Sequence, residues 1–171
     1  MAPIEFRAPW SRSLKITTIA TVAMMIVLGS IGLWVASDYG WILPSIMIGG
    51  AMLALLTTVP YVVRGYTLTQ DEIIVRQLGK LTRLRLDDVQ SIDGKPDALK
   101  GAWRLLASAG IFSYSGWYWS RELKRFHAMA SDPSRTVVIR LINRTVVITP
   151  HDPQQFIMRA RTLLKTTAHR A

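Results

Sequence analysis

The chain has 171 residues, carries a formal net charge of +10 and contains no cysteine. That length allows one small domain beside a membrane segment. The missing cysteines exclude disulfides, thiolate metal sites and cysteine nucleophiles. The basic balance suits nucleic acid, anionic lipid or a cytoplasmic juxtamembrane setting.

The first long feature is an apolar run from Ile16 to Val63 whose only charged residue is Asp38. It reads as two membrane-spanning helices, about 16–37 and 39–63, joined by a short turn. Each stretch supplies the roughly 20 apolar residues needed to cross a hydrocarbon core as helix. A cleaved signal peptide fits less well, because its apolar region is usually about 7–15 residues and no second span follows it. Arg7, Arg12 and Lys15 precede the run, Arg64 and Arg76 follow it, and the turn has no Lys or Arg. The positive-inside rule therefore predicts both termini in the cytoplasm and the turn outside. Localisation follows: a multi-pass protein of the cytoplasmic membrane, with residues 1–15 as a cytoplasmic N-terminal segment. Trp10, Trp34, Tyr39, Trp41, Tyr61 and Tyr66 fall near the predicted interfaces, as an aromatic belt requires. Ser45, Gly49, Gly50 and Ala54 place small residues at helical spacing, for packing inside the hairpin or, second, for a homo-oligomer. No ionisable side chain falls inside either span, so an anchor is expected and not a transport path.

From Tyr66 the period changes to two. Tyr66–Thr69, Glu72–Leu78 and Leu81–Leu86 read as strands, with Leu84 and Leu86 inward and Arg83 and Arg85 outward. Asp87 and Asp88 form a polar turn into a further strand. Asp97 is the expected cap of a short helix over 98–106. The mixture of small and aromatic residues over 108–119 predicts a bent loop, packing in the core or touching lipid. Leu123–Ala130 is again strand. Thr136–Ile142 and Thr145–Thr149 form a hairpin around Asn143 and Arg144. Asp152, Pro153 and Gln155 are the cap, first position and third position of a helix whose apolar face is Phe156, Ile157, Ala160, Leu163 and Leu164. The domain is expected over 64–165, with 166–171 as a tail.

Three stretches carry a family resemblance. They are Tyr66-x-Leu68-Thr69-x-Asp71-x-Ile73-x-Val75, the run from Gly110 through Tyr114 and Gly116 to Leu123–Ala128, and Val147-Ile148-Thr149-Pro150-x-Asp152-Pro153-x-x-Phe156. Together they resemble the bacterial pleckstrin-homology (PH) domain proteins. Two departures stand out: the middle has Ala, Ser and Trp where the family is glycine-rich, and Lys124 stands where glycine is expected. The resemblance implies a membrane helical hairpin followed by an α+β PH-like domain, an antiparallel, partly open β-barrel capped by a C-terminal α-helix. It implies no single shared activity.

The candidate contacts for anionic lipid or a partner are Arg76, Lys80, Arg83 and Arg85. Lys80, Arg83 and Arg85 are expected on one strand face able to grip phosphates, which also resembles the basic hairpin of phosphoinositide-binding PH domains. Eighteen of the 21 Lys and Arg residues, but only nine acidic ones, lie from Arg64 onward. His127, His151 and His169 are too scattered for a metal site. No phosphate-cradling loop, nucleophile motif or helix-turn-helix pattern is present, so no cofactor, no catalysis and no nucleic acid are expected. The expected function is a membrane-anchored module that docks a partner protein or a membrane assembly. Direct binding of anionic lipid headgroups through Lys80, Arg83 and Arg85 is the second reading.

Overall fold

The computed structural model describes residues 3–107 and 113–168. In chain order the elements are β1 (Ile4–Arg7), α1 (Arg12–Tyr39), α2 (Ile42–Thr58), β2 (Val63–Leu68), β3 (Glu72–Gln77), β4 (Leu81–Arg85), β5 (Val89–Gly94), β6 (Trp103–Ala107), β7 (Tyr114–Ser120), β8 (Lys124–Ala130), β9 (Val137–Leu141), β10 (Thr145–Ile148) and α3 (Pro153–Ala168). Two sheets result, a four-stranded one in the order β1-β2-β3-β4 and a six-stranded one in the order β5-β9-β10-β8-β7-β6. A helical N-terminal part thus leads into a sheet-rich, PH-like domain closed by a C-terminal helix.

Two helices are long and apolar enough to cross a membrane, over Arg12–Trp34 (23 residues) and Pro44–Tyr61 (18 residues). Asp38 lies near the end of α1, and Gly40, at φ +81°, makes the turn between the helices. Helix α2 gives way at Val59 to a short 3-10 turn, Val59–Tyr61, and the next strand begins at Val63, three residues before the Tyr66 expected from the sequence. The small residues do not serve the contact expected of them. A Cβ at Gly49 or Gly50 would meet nothing within 4 Å, whereas one at Gly32 on α1 would meet Pro44 and Met47 at 3.6–3.8 Å. Gly32 thus faces Pro44 and Met47 of α2 near the turn, where an added Cβ would make ordinary van der Waals contact.

No strand was expected ahead of the first apolar run, yet β1 is there. It pairs antiparallel with β2, Arg7 opposite Gly65 and Ile4 opposite Leu68. The helical hairpin is thus an insertion in the connection between two paired strands. At Gly65 the strands are so close that a Cβ would come within 2.8 Å of the Phe6 carbonyl oxygen. Phe6 packs edge-on against Phe156 of α3, with ring centroids 5.2 Å apart. The base of the hairpin is tied down by backbone bonds: Ser11 N–H donates to Ser131 O (3.2 Å), Leu78 N–H to Val62 O (2.9 Å) and Gly79 N–H to Pro60 O (2.9 Å).

The main core lies between the two sheets and α3. Tyr66, Leu68, Ile73, Val75 and Leu84 come from the first sheet, Ile92, Met129, Ile139, Val146 and Ile148 from the second, and Phe156 and Ala160 from the helix. Period-two alternation supplies each sheet with one apolar face, and burying that face is the driving force. The helix starts as its sequence signals predict: Asp152 Oδ1 accepts from Gln155 N–H at 2.9 Å. Tyr66 bolts the sheets together. Its hydroxyl donates to Met129 O at 2.8 Å and accepts from Thr149 N–H at 3.1 Å. Full burial raises its pKa to about 12, against the opposing effect of the bonds to Thr149.

Three expectations are corrected. Residues 98–106 form no helix. Asp97 has φ +59° and is not a cap, the next residues make a turn closed by Lys100 N–H on Asp97 O (2.8 Å), and Trp103–Ala107 is a strand. Tertiary bonds override helix propensity there: Ala98 N–H donates to Thr136 Oγ1 at 3.1 Å, and β6 pairs with β7. Of the supposed loop, Tyr114–Ser120 is a strand, with Tyr118 buried and stacked on Phe126 at 5.9 Å. Residues 108–112 fall outside the described part. Lastly, the second sheet is not wholly antiparallel, because β10 pairs in parallel with β8. The β8–β9 link skips one strand position, and β10 folds back from β9 into the gap. Lys124, where glycine was expected, takes φ +55°. The left-handed backbone that favours glycine is kept there by a lysine, at a cost of about 1 kcal/mol.

Candidate binding surface

The β3–β4 hairpin places the basic residues singled out from the sequence. Register sets Glu72 opposite Arg85, Ile74 opposite Arg83 and Arg76 opposite Leu81. Leu84 is buried while Arg83 and Arg85 are exposed, as the alternation predicts. The outer face, however, is not purely cationic. Arg76 Nη1 lies 2.6 Å from Glu5 Oε1, with a second contact from Nη2 to Oε2 at 3.4 Å. Arg83 Nη1 lies 3.7 Å from Glu72 Oε1. Such exposed pairs add little stability, about 0–1 kcal/mol, but they lower the local positive potential. Glu5 was invisible to the sequence reading because β1 was.

Lys80 lies just ahead of the strand that carries Arg83 and Arg85. It sits in the hairpin turn, where its carbonyl accepts from Gln77 N–H at 2.9 Å. The neighbouring Gly79 abuts the foot of α2, and a Cβ there would come within 2.7 Å of the Pro60 Cβ. Lys80 and Arg85 are separated by five residues, about 17 Å along an extended strand. The positive charge of Lys80 also acts on His127 of the second sheet. The structure places Lys80 in the turn and Arg83 and Arg85 on the strand that follows it.

It gathers other residues that the sequence did not connect. The β9–β10 turn is closed by Leu141 N–H on Arg144 O (2.9 Å), and Arg144 stands across a cleft from β4. The cleft, about 370 Å³, is lined by Arg83, Leu84, Arg85, Asp88, Leu141, Asn143 and Arg144. Among the described residues Arg85, Arg144 and Lys80 form no ion pair. On the second sheet Trp117 meets His127 edge-on at 5.1 Å, and the Arg125 guanidinium lies 4.5 Å from the Trp117 ring centroid. The Asn143–Arg144 turn was legible in the sequence; that it faces Arg85 was not, since 59 positions separate them.

His127 reports the charge of this region. Burial first, then the positive fields of Arg144 and Lys80, lower its pKa from 6.5 to about 4. The folded state therefore holds a neutral imidazole where the unfolded chain binds a proton. Stability from this group is complete above the unfolded value and is lost as pH falls from about 6.5 toward 4. Going from pH 7 to pH 5 is expected to cost about 1 kcal/mol through this residue, after discounting for its partial exposure. Thermal unfolding of detergent-solubilised protein at the two pH values checks this, and His127→Gln should flatten the difference.

Among the described residues no three of His, Asp and Glu come together as a metal group would. Asp88 serves the fold through its backbone, its carbonyl accepting from Ile142 N–H at 2.9 Å. No curated protein and no solved structure matches the chain. The profile of a family described as bacterial PH domain does match, over residues 64–164. That match covers more than half of the chain, the sheets and terminal helix it spans have the PH-like arrangement, and the protein belongs to the bacterial PH domain family.

Proposed function

We propose that the protein is a membrane-anchored binding or scaffolding module. In this reading α1 and α2 cross the cytoplasmic membrane, both termini are cytoplasmic, and the domain over 64–165, completed by β1, docks a partner protein or a membrane assembly. Membership of a family of generally non-catalytic binding modules supports the binding role. The observation that carries the anchoring is the exposed apolar surface of the helices. Ile19, Ile26, Trp34, Ile42, Ile46 and Leu56 are each more than 60 % exposed, far beyond the apolar patch a water-soluble monomer presents. A lipid core covers such a surface, and Arg7, Arg12, Lys15 and Arg64 at the foot of the hairpin set the cytoplasmic side.

The hairpin sits between two paired strands and has no flexible linker, so the domain would be held at a fixed attitude to the bilayer. That favours presenting one face to a partner over searching at the end of a tether. A second reading, attraction to anionic headgroups, is favoured by Lys80, whose hairpin turn abuts the foot of α2. A cation near the lipid surface contributes about 1 kcal/mol.

The chain lacks cysteine, so Trp41→Cys gives a single label site in the turn. A membrane-impermeant maleimide should label it from outside intact cells, while a tag behind Ala171 stays protected. The protein should resist extraction by salt and alkali and leave the membrane only with detergent. Release by alkali, or a tag reachable from outside, would overturn the anchoring.

A further inference from the structure

The cleft between β4 and the β9–β10 turn has the makings of an anion site. Among the described residues strand β4 pairs only with β3, so its other edge is unpaired there. Arg85 rises from this strand and Arg144 from the opposite turn, and neither has a carboxylate partner among the described residues. Arg83 joins them, half engaged with Glu72. The floor is apolar: Leu84 is 1 % and Leu141 8 % exposed. A guanidinium can hold a phosphate through two parallel hydrogen bonds. Asn143 adds a side-chain amide that can donate to an oxygen.

We propose that this cleft binds the phosphoryl group of a phosphate diester, held between Arg85 and Arg144 with Asn143 as a further donor. Asp88 decides between ester classes. It is the one acid in the lining and forms no ion pair with either arginine. Its carboxylate repels a second negative charge, so the monoanionic diester is preferred over a dianionic monoester. A diester occurs in a phospholipid headgroup or as a free soluble molecule. The site names the chemistry that the binding-module reading leaves open, and it does not depend on the membrane topology.

The test uses the full chain in neutral maltoside micelles, with calorimetric titration by three probes: dimethyl phosphate, inorganic phosphate at pH 8, and dihexanoyl phosphatidylglycerol below its micelle concentration. A diester should bind more tightly than inorganic phosphate. Arg144→Gln and Arg85→Gln should each weaken diester binding at least about tenfold, with unfolding temperatures unchanged. Arg140→Gln, exposed on β9 and outside the cleft lining, should bind as the parent does. Binding of dihexanoyl phosphatidylglycerol alone assigns the site to a lipid headgroup; binding of dimethyl phosphate as well assigns it to the diester as such. Equal binding in the parent and Arg144→Gln, or equal loss in Arg140→Gln, would overturn the proposal. Either result leaves the labelling and extraction outcomes above untouched, so the two readings fail separately.

Discussion

A fragment that begins at Arg64 is expected to unfold at a clearly lower urea concentration than one in which residues 3–8 are joined to Val63 by a short turn. The first fragment matches the span of the family profile but lacks β1. Without β1 the apolar side of β2 is open, Phe6 no longer covers Phe156, and Arg7 O no longer receives His151 N–H (3.0 Å). Loss of a buried phenylalanine alone costs about 3–5 kcal/mol, and β2 becomes an unpaired sheet edge prone to association. Rejoining is feasible because the strands are already antiparallel, with Ala8 N–H on Arg64 O at 3.4 Å, so a two- to four-residue hairpin turn suffices. Equal urea midpoints, with neither fragment aggregating, would show that β1 contributes nothing to the domain.

Phe156→Ala should cost about 3–5 kcal/mol. Phe156 is fully buried where α3, β1 and both sheets meet, and few neighbours there can collapse into the space. The T-shaped contact with Phe6 should also make the two positions non-additive. In a double-mutant cycle with Phe6→Ala the coupling should be about 0.5–1.5 kcal/mol. Denaturant unfolding of the rejoined domain measures both values. Strict additivity would mean that the ring contact is incidental to the burial.

The candidate site was legible only in part. Alternation toward the end of β4 correctly aimed Arg83 and Arg85 outward, because the buried Leu84 and Leu86 flank Arg85 at a spacing of two. Their surroundings were not readable. Glu5 reaches Arg76 from a strand placed by long-range pairing. Arg144 reaches the cleft because β10 folds back between β8 and β9. Trp117 and His127 meet because β7 is a strand, which small residues and a glycine disguised as a loop.

What the residues dictated by themselves are features of short range: two long apolar helices, the β9–β10 hairpin, and a helix started by Asp152 and Pro153. Each follows from hydrophobic period, turn chemistry or capping within about ten residues. What only the tertiary structure decided is which distant strands pair. The β1–β2 ladder spans the whole helical hairpin, β6 replaces an expected helix, and Arg144 comes to line one cleft with Arg85. Those outcomes depend on burying two sheet faces against each other and against α3, a condition that no local window of sequence contains.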